Sequence, residues 1–284
     1  DTVRMYAMGS SIGGWVAGGQ RLAGALAMAA LLTACGGDGG GTDGSGATSS
    51  TPGPSDASSD PAVVQKVIDP APAGSLTGRV RLDGTPPERE TFKMLGEAWC
   101  IQQHPAGHED DRLVVSGDGH VHNAFAWISA GLEGYAFDPP ADPVLVDQVG
   151  CLFEPRIVGV QLGQPLMAAN SDEVMHNVHT KPELNRPQNF GMPRGAEARE
   201  LRLRRPETMI EVVCDVHAWM KAWVGVVDHP YFQVTGTDGA FRFEGVPPGT
   251  YTVSIWHETL GTKEVSVDLG EDQDAVVDDV VFSL

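Results

Sequence analysis

Val213-Cys-Asp-Val-His-Ala-Trp-Met-Lys221 separates two runs that read as strands, Met209-Ile-Glu-Val-Val213 and Ala222-Trp-Val-Gly-Val-Val227. β-Branched residues and period-two alternation on either side predict a strand-loop-strand unit. The loop carries a thiolate, an imidazole and a thioether at Cys214, His217 and Met220. Upstream, Met175-His-Asn-Val-His179 offers a second imidazole from elsewhere in the chain. One thiolate, two imidazoles and a thioether make the donor set of a mononuclear copper centre. Zinc sites usually collect more cysteine, or histidines with a carboxylate, and rarely use methionine.

Working outward, the same texture continues. Short alternating runs appear at Leu76-Thr-Gly-Arg-Val-Arg-Leu82, His122-Asn-Ala-Phe-Ala-Trp-Ile128, Pro143-Val-Leu-Val-Asp147, Arg156-Ile-Val-Gly-Val160 and Pro165-Leu-Met-Ala-Ala169. Turn signals such as Ser116-Gly-Asp-Gly119 cut them apart, and no long segment sustains a helical period. The expectation is an all-β chain of sandwich or barrel type. The 284 residues, 41% of them hydrophobic, have room for one large domain or two ordinary ones. A formal net charge of −19 argues against nucleic acid, whose backbone would repel such a surface. It suits a partner with a basic face.

From Tyr231 onward a second β-unit begins. Phe232-Gln-Val-Thr, a tight turn at Gly236-Thr-Asp-Gly239 and Phe241-Arg-Phe read as a hairpin, followed by Val246-Pro-Pro-Gly-Thr-Tyr251 and Trp256-His-Glu258. This order resembles the carboxypeptidase-regulatory-like, or transthyretin-like, β-sandwich, also called carbohydrate-binding-like and found in rhamnogalacturonan lyases. Such a likeness implies fold rather than function.

The region from about Val144 to Val227 resembles the cupredoxins, plastocyanin-like electron carriers with a Greek-key β-sandwich. The likeness rests on Phe153-Glu-Pro-Arg-Ile-Val-Gly-Val-Gln-Leu-Gly163, Met167-Ala-Ala-Asn-Ser-Asp172, Met175-His-Asn-Val178 and Cys214-Asp-Val-His217. It implies His176, Cys214, His217 and Met220 as ligands of one copper ion, with Asn177 bracing the cysteine loop. His179 is a further candidate, although odd offsets on a strand point to opposite faces. Only two residues separate His217 from Met220, where plastocyanin-type chains place four. The axial donor therefore stays open between Met220, Met175 and a backbone carbonyl. A dinuclear centre is disfavoured, because its second cysteine would fall at Ile210.

At the start of the chain, Arg4 and Arg21 precede the apolar run Leu22–Leu32, too short to span a bilayer. Leu32-Thr-Ala-Cys35 resembles the lipobox of bacterial lipoproteins, which implies a signal peptide over residues 1–35 and lipidation at Cys35. The Gly-, Ser- and Pro-rich residues 36–75 read as a disordered tether. With Cys35 and Cys214 assigned, Cys100 and Cys151 remain, and a disulfide between them suits an exported chain. Two free thiols, or a second metal site at Cys100, His104 and His108, are the alternatives.

The domain expectation is a copper domain over 76–228, with 76–143 as its N-terminal extension or a small β-unit, and a sandwich over 229–284. The functional expectation is a non-enzymatic, lipid-anchored electron carrier of the bacterial cell envelope, periplasmic or outer-membrane associated. It would exchange single electrons with a redox partner of basic, cytochrome-like surface. A copper carrier or buffer without redox turnover, or a surface module binding glycan or protein with a structural metal, is the alternative.

Overall fold

Alternating apolar and polar residues give each strand one inward face, and glycine-rich or proline-rich turns end it after a few residues. The computed structural model describes residues 73–284. The expected signal segment, the expected lipidation site Cys35 and the expected tether as far as residue 72 lie outside the described residues. In chain order come β1 (Gly74–Asp83), β2 (Thr91–Phe92), helix α1 (Ala98–Gln103), β3 (His108–Glu109) and β4 (Phe125–Ala130). Next are β5 (Val144–Val149), β6 (Leu152–Glu154), β7 (Ile157–Gln161), β8 (Leu166–Ala168), β9 (His176–Lys181) and β10 (Asn189–Met192). β11 (Arg199–Glu200), β12 (Glu207–Val213), β13 (Lys221–Val227) and β14 (Phe232–Val234) follow. The last are β15 (Ala240–Val246), β16 (Gly249–His257), β17 (Gly261–Leu269), β18 (Asp274–Val276) and β19 (Val280–Ser283). The described residues are all-β apart from α1, as the sequence predicts.

Two sandwiches result. In the first, a five-stranded sheet ordered β10-β9-β12-β13-β7 faces a four-stranded sheet ordered β11-β8-β5-β6. Ile210 and Val212 of β12 and Ala222, Val224 and Val226 of β13 point inward against Val146, Phe153 and Leu166. In the second, β15, β18 and β19 all pair with β1, opposite a sheet ordered β14-β4-β16-β17. Leu76, Val80, Ile128, Phe241, Tyr251, Val253, Ile255 and Phe282 fill the space between.

This pairing corrects the domain boundaries. Residues 76–143 divide between the sandwiches rather than extending the first: β1 pairs with β15, β18 and β19 and β4 with β14 and β16, while Met94 and Cys100 pack into the first core. Residues 229–284 alone would lack the strand at the centre of each sheet, so the second sandwich takes strands from both ends of the described chain. β1 also begins at Gly74, inside the expected tether.

The sandwiches meet where two glycines face each other. Gly159 of β7 and Gly225 of β13 are register partners, and the rings of Phe232 and Phe125 lie directly over them. A Cβ on Gly159 would fall 2.4 Å from Phe232, and one on Gly225 2.6 Å from Phe125. Ile157 and Val227 close the contact, with Trp127, Trp223 and Trp256 around it. Arg156 reaches across, bidentate on Glu258 at 2.8 and 2.9 Å, and pairs with Asp111 at 2.8 Å. Trp223 Nε1 donates to the same Glu258 carboxylate.

Arg156 and Glu258 are largely buried, with side chains 11% and 8% exposed. Arg156→Leu should therefore lower stability by roughly 3 kcal/mol by leaving Glu258 unpaired, and Arg156→Leu/Glu258→Leu should recover most of that loss. Urea denaturation checks both. His257 yields a pH dependence. Its ring is buried with Nε2 unpartnered, and burial pushes its pKa down to about 4. The unfolded imidazole takes a proton near pH 6.5, so this contribution is complete above 6.5 and fades toward 4. Denaturation at pH 7.5 and 4.5 should show a decline of up to roughly 3 kcal/mol that His257→Gln removes.

Candidate metal centre

β9 and β12 run antiparallel with Val213 opposite His179 and Val212 opposite Thr180. The first residue of β9 and the residue after β12 therefore meet at one end of the sheet, which brings His176 beside Cys214. The 214–220 loop closes on itself: Cys214 N–H donates to the Met220 carbonyl at 3.3 Å, and Met220 N–H to the His217 carbonyl at 3.0 Å. That turn swings His217 back over Cys214.

His176 Nδ1 lies 2.8 Å from His217 Nδ1, and Cys214 Sγ lies 3.9 Å from the same His217 atom. The three donors fall within 4.8 Å of one another and are buried, at 0%, 2% and 4% exposure for His176, Cys214 and His217. A transition-metal ion about 2.1 Å from nitrogen and about 2.3 Å from sulfur holds such donors no more than roughly 4.4 Å apart. Both separations from His217 lie inside that limit, so the set fits one ion, and a lone thiolate with two imidazoles suits copper.

Asp172 orients the set. Its carboxylate accepts from His176 Nε2 at 2.8 Å, from Gly150 N–H at 2.6 Å and from Cys151 N–H at 2.7 Å. With Nε2 bound to Asp172, His176 turns Nδ1 toward Cys214 and His217. Asn177 Oδ1 accepts from Asp215 N–H at 2.5 Å, and its Nδ2 donates to Asn189 and Asp215. The cysteine loop is thereby pinned to β9. Sequence reasoning assigned Asp172 no role; the signal was its place four residues before His176, behind Asn170, whose Oδ1 caps the Asp172 N–H at 3.0 Å.

Charge follows from these contacts. Burial opposes protonation of His176, but Asp172 and the nearby Cys214 sulfur outweigh it and hold its pKa above the usual imidazole value. Burial raises the Cys214 thiol, yet the hydrogen bonds from His176 and from backbone N–H groups, including that of Asn177, bring it below the usual thiol range. Burial and the adjacent His176 keep His217 below its ordinary value, hence neutral and able to ligate. A neutral His217 is the form metal binding demands, and His176 gives up its extra proton when an ion enters.

The other candidates fall into place around this core. His179 turns away and binds Asp215 at 3.0 Å, outside the triad. Met220 is fully buried in the same core cluster as Cys214, whereas Met175 is exposed. Cys100 and Cys151 form a disulfide, so neither offers a thiolate. Cys151 therefore drops out of a second grouping with Asp172 and His176. The alternative site at Cys100, His104 and His108 is lost with it, and His104 Nε2 meets the Gly150 carbonyl at 2.7 Å.

No protein-family model and no curated protein matches the chain. Solved structures are similar over part of it. An amicyanin from Paracoccus versutus is 18% identical, over 36% of this chain and 96% of its own, at TM-score 0.27. A purple cupredoxin from Nitrosopumilus maritimus is 18% identical over 29% of this chain and 98% of its own, at TM-score 0.25. A copper-containing nitrite reductase from Thermus scotoductus is 20% identical over 36% of this chain, at TM-score 0.27. The match spans only 25% of that reductase.

Removing the charge that orients His176 tests the site. Asp172→Asn should weaken metal binding about 10- to 100-fold, as loss of such supporting partners does. Competition titration with a chromogenic Cu(I) chelator reads the change.

Proposed function

We propose that the chain is a copper protein carrying single electrons in the bacterial cell envelope, anchored through Cys35 and held off the membrane by the tether of residues 36–72. One observation carries this reading: Cys214 Sγ and the two Nδ1 atoms of His176 and His217 converge in a buried, pre-oriented set. Copper bound there supplies one-electron exchange between Cu(I) and Cu(II). Cys214 would provide the soft anionic donor, its loss of a proton eased by the hydrogen bonds it receives. His176 is fixed in tautomer and angle by Asp172. The 214–220 loop is pinned by Asn177, so the donors need little rearrangement when the charge on the ion changes. Met220, buried in the same core, would offer a thioether donor.

Burial separates this reading from its alternative. A carrier that hands its ion to a partner needs the ligands within reach of incoming donors, and all three lie under the surface. The acidic surface favours a redox partner with a basic face.

Absorption spectroscopy of the copper-loaded protein is the test. The wild type should show a thiolate-to-copper band in the visible range and a reversible one-electron couple, and Cys214→Ser should lose the band. A wild type that binds stoichiometric copper without such a band, or a Cys214→Ser variant that keeps it, would sink the proposal.

A further inference from the structure

The edge of His217 that faces away from the triad does not meet water. Its Nε2 lies 3.8 Å from Cys100 Sγ, a disulfide sulfur. Trp219 lies along one side of the ring, with centroids 5.0 Å apart, and His176 on the other at 4.7 Å. The cap is tied down at several points. Cys151 N–H donates to Asp172, the Cys151 carbonyl accepts from Trp219 Nε1 at 2.9 Å, and Met94 and the α1 residue Trp99 pack against the core.

We infer that the Cys100–Cys151 disulfide is the hydrogen-bond acceptor and water-excluding cap of His217, and that it poises the centre toward its reduced form. The redox half rests on the copper reading above; the cap half does not.

The two imidazoles have unequal partners. With Nδ1 of His217 turned to the triad, its hydrogen sits on Nε2 and points at Cys100. Divalent sulfur is a weak acceptor. His176 instead donates to a buried carboxylate, which makes an imidazole more basic and steadies a higher charge on a metal. The sulfur does little of either. It also keeps out water that would otherwise solvate the more highly charged ion, and burying charge without such solvation is costly. On the His217 side the protein therefore favours the lower charge.

The variant Cys100→Ala/Cys151→Ala removes both sulfurs without leaving a free thiol. In the copper-loaded protein at fixed ambient potential, its ratio of reduced to oxidised centre should fall about tenfold, a potential about 59 mV lower for one electron. Losing the cross-link also lowers the stability of the fold. Should the alanine pair not fold, Cys100→Val/Cys151→Ala refills part of the lost volume and is read the same way. The cap is tested separately on metal-free protein with diethyl pyrocarbonate. Wild-type His217 should label far more slowly than half-exposed His179, and the variant should lose that protection. An unchanged or higher ratio in a folded variant overturns the redox half. Wild-type His217 labelling as fast as His179 overturns the cap. A wild type that binds no copper removes the redox half together with the proposed function, while the labelling still decides the cap.

Discussion

A single buried carboxylate ties the centre to the rest of the first sandwich. Asp172 is almost wholly enclosed, and an enclosed carboxylate is tolerated only when its oxygens are satisfied. Three donors do this, the N–H groups of Gly150 and Cys151 and Nε2 of His176. The segment leading to His176 is shaped around the same group: Asn170 caps the Asp172 N–H and donates to the carbonyls of Val174 and Met192. One interaction thus fixes the tautomer of a ligand, the turn between β5 and β6, and the entry to β9. Because that turn carries Cys151, Asp172 also positions the disulfide that covers His217.

The electrostatics follow the same geometry. Cys214 is buried, which alone would favour the neutral thiol, yet its neighbours are hydrogen-bond donors and a histidine whose pKa is raised. The site therefore eases the thiol toward its anionic form, against positive or donating groups, while excluding water. His217 is pushed the other way, by burial and by the neighbouring His176, and stays neutral. The donors are thus differentiated in charge by their surroundings, which is how one small cluster offers both an anionic and a neutral ligand to one ion.

The sequence made the site more legible than the topology. Cys214 and His217 share one turn between two alternating strands, and strand parity separates His176 from His179, so local rules suffice for the triad. The same rules could not place β1 and β4, because alternation tells which face of a strand is buried and not which strand it pairs with. β1 pairs with strands more than 150 residues later in the chain, and nothing within a short window of sequence signals such a contact. Asp172 was passed over for a related reason. A carboxylate in a turn is usually solvated, and only the fold shows that Gly150, Cys151 and His176 converge on it.

The route of the chain explains why the second sandwich belongs to the site. After β1 the chain leaves the second sandwich and reaches the first, where Met94 and Cys100 pack, before Val121 and Ala124 rejoin the second core ahead of β4. It is fastened to the first by the Cys100–Cys151 disulfide and by the pair of Asp111 with Arg156. Arg156 is also the residue that grips Glu258, at the turn between β16 and β17. The cap over His217 thus hangs between two sandwiches whose relative position is set by two phenyl rings seated on paired glycines and by one buried guanidinium. A displaced interface would pull on α1 and on the sulfur against His217. The second sandwich is therefore a structural support of the centre, holding in place the segment that keeps water from one of its ligands.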